Sequence, residues 1–304
     1  MDDGKLKIVA GGREQKVEVY APNLRTEPTF GERLAHVFGW RAESKFSAQD
    51  EVAEESPEES AEADSEAEVE VSAMDELAIM PITAAPSDNC TVRLGRLMLI
   101  NPNFVVDADF IVERRGELVS MMDTYGIPEY HAWNGDNLLD PEAGAKLNEM
   151  LAAYAEENPG HYMETVSCFR SVGTSCGRLC AATGESDHHT GLTCDLIDPE
   201  YGGELDTDDY DNHAEWQWLY ANSYKYGFID RFPEAWAGGP MSEPANVNAE
   251  GSTGLYETWH YRYVGVAAAT EIATGKYNNG EYDSLEHYLL SRGLVNDLVA
   301  GTCP

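Results

Sequence analysis

The sequence predicts an α+β domain, a small antiparallel sheet with flanking helices, preceded by a disordered acidic linker. Three observations lead there. From about Pro86 to Pro304 apolar residues recur with both helical and strand periods, and the segments do not alternate as the βαβ units of a parallel sheet do. Residues 43–77 are dominated by Glu and Asp, as in Glu54-Glu55-Ser56-Pro57-Glu58-Glu59, with Lys45 their only base; like charges repel there and little apolar area is available to offset chain entropy. Residues 1–42 alternate polar and apolar positions instead. The expected organisation is a small N-terminal segment of unassigned role (1–42), an acidic linker (43–85) and the main domain (86–304).

Taken in order, Lys5-Leu6-Lys7-Ile8 and Lys16-Val17-Glu18-Val19-Tyr20 flank Gly11-Gly12 and read as a hairpin. Phe30, Leu34, Val37 and Phe38 then repeat at helical spacing. In the main domain Leu97–Ile100 and Phe104–Val106 read as short strands. Asp140–Glu156 reads as an amphipathic helix with Leu147, Met150, Leu151 and Tyr154 on one face, ended by Pro159-Gly160. Met163–Phe169 reads as a strand, Asn212–Tyr226 as a helix capped by Gly227, Tyr256–Gly265 as an aromatic-rich strand and Leu285–Arg292 as a final helix.

The 304 residues, 42% hydrophobic, suffice for a large core, and a formal net charge of −35 argues against nucleic acid or an anionic membrane surface as a partner. No apolar run approaches the roughly 18–20 residues that span a bilayer. The start, Met1-Asp2-Asp3-Gly4, lacks the basic-then-apolar order of a secretory signal, so the expectation is a soluble chain with no visible export address. Six cysteines form no C-x-x-C pair, which disfavours a thiolate zinc site. They permit disulfides: Cys90 and Cys303 near the ends of the main domain can staple them, and Cys168, Cys176 and Cys180 are close enough to exchange partners.

Chemistry concentrates in two segments. In Ser186-Asp187-His188-His189-Thr190-Gly191-Leu192-Thr193-Cys194-Asp195 a histidine and an aspartate sit seven apart around a glycine, good zinc ligands if a loop leads into a strand. Alone, the pair also reads as surface histidines among acids. In Glu257-Thr258-Trp259-His260 a carboxylate precedes a histidine by three, the pairing in which the histidine binds a metal and the glutamate takes a proton from water. Together they supply His188, Asp195 and His260 with a spare Glu257. Three protein ligands and one open position suit a catalytic rather than a structural zinc.

These segments resemble the D-alanyl-D-alanine carboxypeptidases of the VanY type in the M15 metallopeptidase family, whose signature runs S-x-H-x-x-G-x-A-x-D and later E-x-W-H. Ser186, His188, Gly191 and Asp195 fall in register, as do Glu257, Trp259 and His260. Ser167, Arg170 and Ser171 match an upstream S-x-x-R-S element. Trp218-Leu219, Asn222 and Tyr226 to Pro233 resemble the stretch between, and Tyr261-Arg262-Tyr263-Val264-Gly265 continues the match. The resemblance implies an M15/hedgehog-like peptidase fold for 86–304 and one zinc ion held by His188, Asp195 and His260. It implies Glu257 as general base and proton donor, Arg170 as oxyanion stabiliser, and Ser186, Ser167, Ser171 and Trp259 as substrate contacts. The substrate implied is a peptidoglycan stem peptide ending in D-Ala-D-Ala, outside the cytoplasmic membrane. An endopeptidase or a non-catalytic wall-binding module of the same fold stands as the alternative.

Departures from the pattern are Thr193 for a small Ala, Cys194 beside a ligand, and Val172 and Ser175 where relatives carry an aromatic and Gln. Cys194 is open to three readings: a packed thiol, a disulfide partner or a perturbation of the metal. His189 reads as a support, a substrate contact or a surface residue rather than a ligand. His161 and His213 read as surface or structural, and Trp216, Trp218, Trp236 and Trp259 as core or pocket wall. Asp206 to Asp211 lacks the glycine and the glutamate of an EF-hand loop and reads as a solvated acidic loop. Ala235–Ser252 reads as a rim loop.

Overall fold

A computed structural model of the chain describes the backbone of residues 7–10 and 13–16, and residues 87–130, 136–174, 181–201, 213–236, 248–253 and 256–304. The chain divides into two units, Met1–Trp40 and Arg41–Pro304. In the first, β1 (Lys7–Ala10) and β2 (Arg13–Lys16) pair antiparallel about Gly11-Gly12, with Lys7 opposite Lys16 and Ala10 opposite Arg13. The hairpin is where the sequence places it, but its strands close directly on the two-glycine loop. The helical spacing at 30–38, the acidic linker 43–85, Ser175, Cys176, Cys180, the acidic run 206–211 and most of the rim loop lie outside the described residues.

The second unit contains α1 (Ala108–Glu117), β3 (Val119–Ser120), α2 (Met121–Tyr125), β4 (Leu138–Leu139), α3 (Pro141–Glu157), β5 (Glu164–Ser167), β6 (Thr193–Ile197), α4 (Ala214–Asn222), β7 (Phe228–Asp230), β8 (His260–Tyr263), α5 (Val266–Ala273) and α6 (Leu285–Ser291). β3 pairs with β4, and a four-stranded antiparallel sheet runs in the order β5-β6-β8-β7. The architecture is α+β.

Each helix start has a local cause. Asp140 caps α3, its carboxylate accepting a hydrogen bond from the Glu142 amide at 2.9 Å, with Pro141 in the first turn where a missing N–H costs nothing. Asp107 and Ser284 cap α1 and α6 in the same way. The expected helix Asn212–Tyr226 forms as α4 followed by a 3-10 turn, Ser223–Tyr226, that stops at Gly227. Gly227 has φ +88°, and a Cβ there would lie 2.6 Å from Tyr263 Cε2, so both backbone and packing require glycine.

The structure corrects two strands at the start of the domain. Val92–Leu97 is a 3-10 turn kinked at Gly95, and Leu97–Ile100 joins no sheet. Phe104 makes an isolated bridge with Asn101, and Val105–Val106 is outside any strand. The run is apolar because it is buried, but its polar backbone is met by side chains. Thr91 Oγ1 accepts from the Leu99 amide at 2.8 Å, Asn89 Nδ2 donates to the Leu99 and Phe104 carbonyls at 2.9 and 2.8 Å, and Arg262 Nη2 donates to the Met98 carbonyl at 2.7 Å. The two long strands also shorten. β5 bulges between Thr165 and Ser167 and its ladder ends at Ser167, while Tyr256-Glu257 is irregular and Thr258-Trp259 forms a turn before β8 in which the His260 amide donates to the Glu257 carbonyl at 3.2 Å.

An apolar cluster from Leu94, Leu97, Leu99, Phe104, Ile229, Val264 and the inner faces of α5 and α6 forms one core. Two devices fasten this region. Cys90 and Cys303 form a disulfide across a sequence separation of 213. Glu286 of α6 accepts a two-pronged ion pair from Arg231 at 2.7 and 2.8 Å, and both side chains are fully buried.

Two outcomes test these fastenings. Cys90→Ala/Cys303→Ala is expected to lower the unfolding free energy by about 2–5 kcal/mol, since a long loop is released in the unfolded chain, read as a lower urea midpoint. Glu286→Ala strands a buried guanidinium and is expected to cost about 3–5 kcal/mol in the same measurement.

Candidate metal centre

The sheet places the site. Across β5, β6 and β8, Ser167 lies opposite Asp195 and Asp195 opposite His260. Alternation along a strand puts all three on one face and Cys194 and Tyr261 on the other. His188 enters from the 3-10 turn Asp187–Thr190, whose end is set by Gly191 at φ +67°. A left-handed residue there turns the chain from the His188 loop directly into β6.

His188, Asp195 and His260 are buried, and one donor atom from each lies within 4.8 Å of the others. His188 Nε2 is 3.4 Å from Asp195 Oδ2, and His260 Nδ1 is 3.2 Å from Asp195 Oδ1. The imidazole rings meet edge to face with centroids 4.7 Å apart. His188 Nδ1 lies 2.6 Å from the Cys168 carbonyl, which can only accept, so that nitrogen carries the proton and Nε2 keeps its lone pair. His260 Nε2 points to Asp187 Oδ2 at 3.6 Å, which leaves Nδ1 facing Asp195. His188 Nε2, Asp195 Oδ1 and His260 Nε2 are buried without a hydrogen-bond partner. Two buried imidazoles and a buried carboxylate, with His188 Nε2 and Asp195 Oδ1 unpartnered toward each other's side of the site, fit a divalent transition ion such as zinc.

Asp187 is the support that the sequence reading left unassigned. It is buried and ion-paired to Arg262, with Arg231 Nε at 3.6 Å. Thr193 Oγ1 donates to its Oδ2 at 2.6 Å. The departure from Ala at position 193 therefore supplies a hydrogen bond to the group behind His260. Burial opposes the Asp187 charge, but Arg262 and Arg231 hold its carboxyl far below the usual carboxylate range. The two histidines diverge. Burial and the Arg170 charge push His188 well below its ordinary pKa and keep it neutral. Burial also opposes charge on His260, yet contacts with Asp187, Asp195 and Glu257 outweigh it and raise its pKa well above the ordinary value.

Glu257 Oε2 lies 3.1 Å from His260 Nδ1, on the pocket side of the ring, and its side chain is partly exposed. Arg170 Nη2 lies 3.6 Å from Asp195 Oδ2 and keeps some exposure. The structure thus brings together five of the nine expected site residues: His188, Asp195, His260, Glu257 and Arg170. The other four sit as follows. Ser167 is buried and its hydroxyl accepts from Arg170 Nε at 3.4 Å. Ser186 is buried at the head of the His188 turn, its carbonyl accepting from the His189 amide at 3.0 Å. Ser171 is turned to Asp136 and Arg115, donating to the first at 3.0 Å and accepting from the second at 3.2 Å. Trp259 is nearly buried, 6.3 Å from the Trp216 ring.

His189 is outside the donor group. It is buried, with Nδ1 2.7 Å from the Arg170 carbonyl, so it supports the Arg170 backbone. His213 is buried beside Glu215 at 2.7 Å, and His161 is half-buried with Nδ1 3.0 Å from Asp198. Cys194 joins Cys168 in a disulfide, one of the three readings left open for it.

With this geometry in place, the chain can be set beside known proteins. Residues 173–266 match the family model VanY, D-alanyl-D-alanine carboxypeptidase, a span that includes His188, Asp195, Glu257 and His260. YodJ of Bacillus subtilis (strain 168), which carries a carboxypeptidase name, is 38% identical over 103 residues, 34% of this chain and 33% of its own length. A D-alanyl-D-alanine carboxypeptidase of Enterococcus faecalis (strain ATCC 700802 / V583) is 35% identical over 109 residues, 36% of this chain and 31% of its own length. The chain thus spans about a third of the length of each of these relatives. Among solved structures, that of the LdcB LD-carboxypeptidase is 27% identical with a TM-score of 0.47, over 65% of this chain and 86% of that one. Residues 173–266, which carry the three donors and Glu257, are thus similar to the VanY-type D-alanyl-D-alanine carboxypeptidases.

Proposed function

We propose that the chain is a zinc-dependent carboxypeptidase that removes the terminal D-amino acid from peptidoglycan stem peptides ending in D-Ala-D-Ala. The observation that carries this reading is the convergence of His188, Asp195 and His260, with Glu257 3.1 Å from the inward nitrogen of His260. His188 Nε2, His260 Nδ1 and an Asp195 oxygen would hold one ion. Bound zinc supplies a Lewis acid that polarises the scissile carbonyl and lowers the pKa of water from about 15.7 to about 7. Glu257 takes a proton from the attacking water and returns it to the departing amine of D-alanine. Arg170, a fixed cation at the pocket edge, balances the charge that develops on the carbonyl oxygen, a contribution of about 3 kcal/mol for one well-placed donor. Ser167 orients that guanidinium through the 3.4 Å contact, and Ser186, Ser171 and Trp259 are assigned to the wall holding the peptide's end.

The proposed location faces the cell wall, outside the cytoplasmic membrane. Two disulfides support it, because such bonds persist in oxidising compartments. No helix among the described residues is long and apolar enough to cross a membrane. An endopeptidase cutting inside the stem or cross-bridge is the second reading. It is favoured by Val172, 44% exposed beside the Arg170-Ser171 element, where the resembling family carries an aromatic.

Incubation with a D-Ala-D-Ala-ended pentapeptide should release free D-alanine, and internal cleavage products from defined muropeptides would point to the second reading instead. Glu257→Gln should retain zinc and lose D-alanine release by about 10²–10⁴-fold, whereas full activity in that variant would sink the mechanism. His188→Ala and Asp195→Asn should each lose the ion, read as metal per chain by plasma mass spectrometry, with the far-ultraviolet circular dichroism unchanged.

A further inference from the structure

We infer that the Cys168–Cys194 disulfide is a positioning element of the metal centre: it fixes, from the back of the sheet, the carbonyl that orients His188 and the strand that carries Asp195. This inference rests on the zinc reading above and adds to it a role for two residues that relatives' motif does not specify.

The placement is the argument. Cys194 immediately precedes Asp195 in β6, and alternation sends its side chain to the face opposite the ligands. Cys168 immediately follows Ser167, the residue that pairs with Asp195, so the two sulfurs meet behind the row Ser167–Asp195–His260. Both cysteines are fully buried. The backbone of Cys168 has a task of its own, because its carbonyl accepts the 2.6 Å hydrogen bond from His188 Nδ1 that selects the tautomer with a free Nε2.

The ladder does not secure that carbonyl unaided. β5 is the edge strand of the four-stranded sheet, paired with β6 on one side and bridged to Glu129 at Thr165 on the other, and its register with β6 shifts between Thr165 and Ser167 before the pairing ends at Ser167. Cys168 lies one residue past that end. The peptide that bears the Cys168 carbonyl is tied through its N–H, the Phe169 amide donating to the Asp136 carbonyl at 3.0 Å, to the loop before β4 and not to the ligand strand. The covalent link therefore spans the point where hydrogen-bonded pairing to β6 stops and the support for His188 begins. Rotation or withdrawal of the Cys168 peptide would release the His188 ring and cost the centre one oriented donor, and groups in this supporting position typically change metal affinity 10–100-fold.

The distal disulfide provides the control, because Cys90–Cys303 closes the domain without touching a ligand or its support. Zinc affinity is measured by competition with a chromophoric chelator on the wild-type chain, on Cys168→Ala/Cys194→Ala and on Cys90→Ala/Cys303→Ala, with unfolding midpoints recorded for all three. The expected result is zinc binding weakened about 10–100-fold in the first pair and unchanged in the second, although both pairs unfold earlier. Equal zinc affinity in all three chains, or equal losses in both pairs, overturns the inference while leaving the zinc reading intact. Absence of zinc binding by the wild-type chain overturns both. If the alanine pair does not fold, Cys168→Val/Cys194→Ala, which refills part of the space, is measured in its place against the same outcomes.

Discussion

Asp195 and His260 face each other across the β6–β8 ladder, so the spacing of these two donors is set by backbone hydrogen bonds and not by side-chain packing. A strand ladder is a stiff ruler. A slip of one residue would turn Asp195 to the opposite face and bring Cys194 into its place. The same ladder leaves His188 as the one donor that must be delivered by a loop, and the left-handed Gly191, the Cys168 carbonyl and the buried Asp187 turn all serve that delivery.

Behind the donors lies a chain of buried charge. Asp187, Arg262, Arg231 and Glu286 are withdrawn from water, and each is tolerable only because its neighbour carries the opposite sign. Arg262 also donates to the Met98 carbonyl, so the chain reaches from β8 into the apolar segment that the sequence disguises as a strand. Asp187 is where this framework meets the site, since its other oxygen lies 3.6 Å from His260 Nε2. The arrangement gives a ligand histidine a partner of fixed charge and fixed position.

What could be read from the sequence follows from what each feature needs. His188, Asp195, Glu257 and His260 were legible because spacing around a glycine and a carboxylate before a histidine are local patterns. α3 was legible because its apolar period is undiluted and Asp140-Pro141 marks its start. α1 was not, because Arg114 occupies a core-facing position and breaks the apolar stripe, its guanidinium donating to Asp140 at 2.9 Å and to the Thr190 carbonyl at 2.7 Å. Leu97–Ile100 reads as a strand because its apolar run shows burial alone, while the side chains of Asn89 and Thr91 that satisfy its backbone leave no periodic signal. Asp187 was in plain view beside His188. Its signal was an acid flanking a ligand in a chain with arginines in both later matched blocks, Arg231 and Arg262, and that pairing needs three dimensions to be seen.

The reach of Glu286 has a consequence for where this centre begins and ends as a module. The span 173–266 contains His188, Asp195 and His260 together with Glu257. It omits the Cys168 carbonyl behind His188, the Met98 carbonyl that accepts a hydrogen bond from Arg262, and Glu286, which neutralises Arg231. A fragment cut at those limits would keep the three donors with Asp187, Arg231 and Arg262, and lose the contacts that secure them from outside. Grafting the site onto another protein would therefore require carrying over contacts from both flanks, and the recognisable motif is smaller than the unit that works.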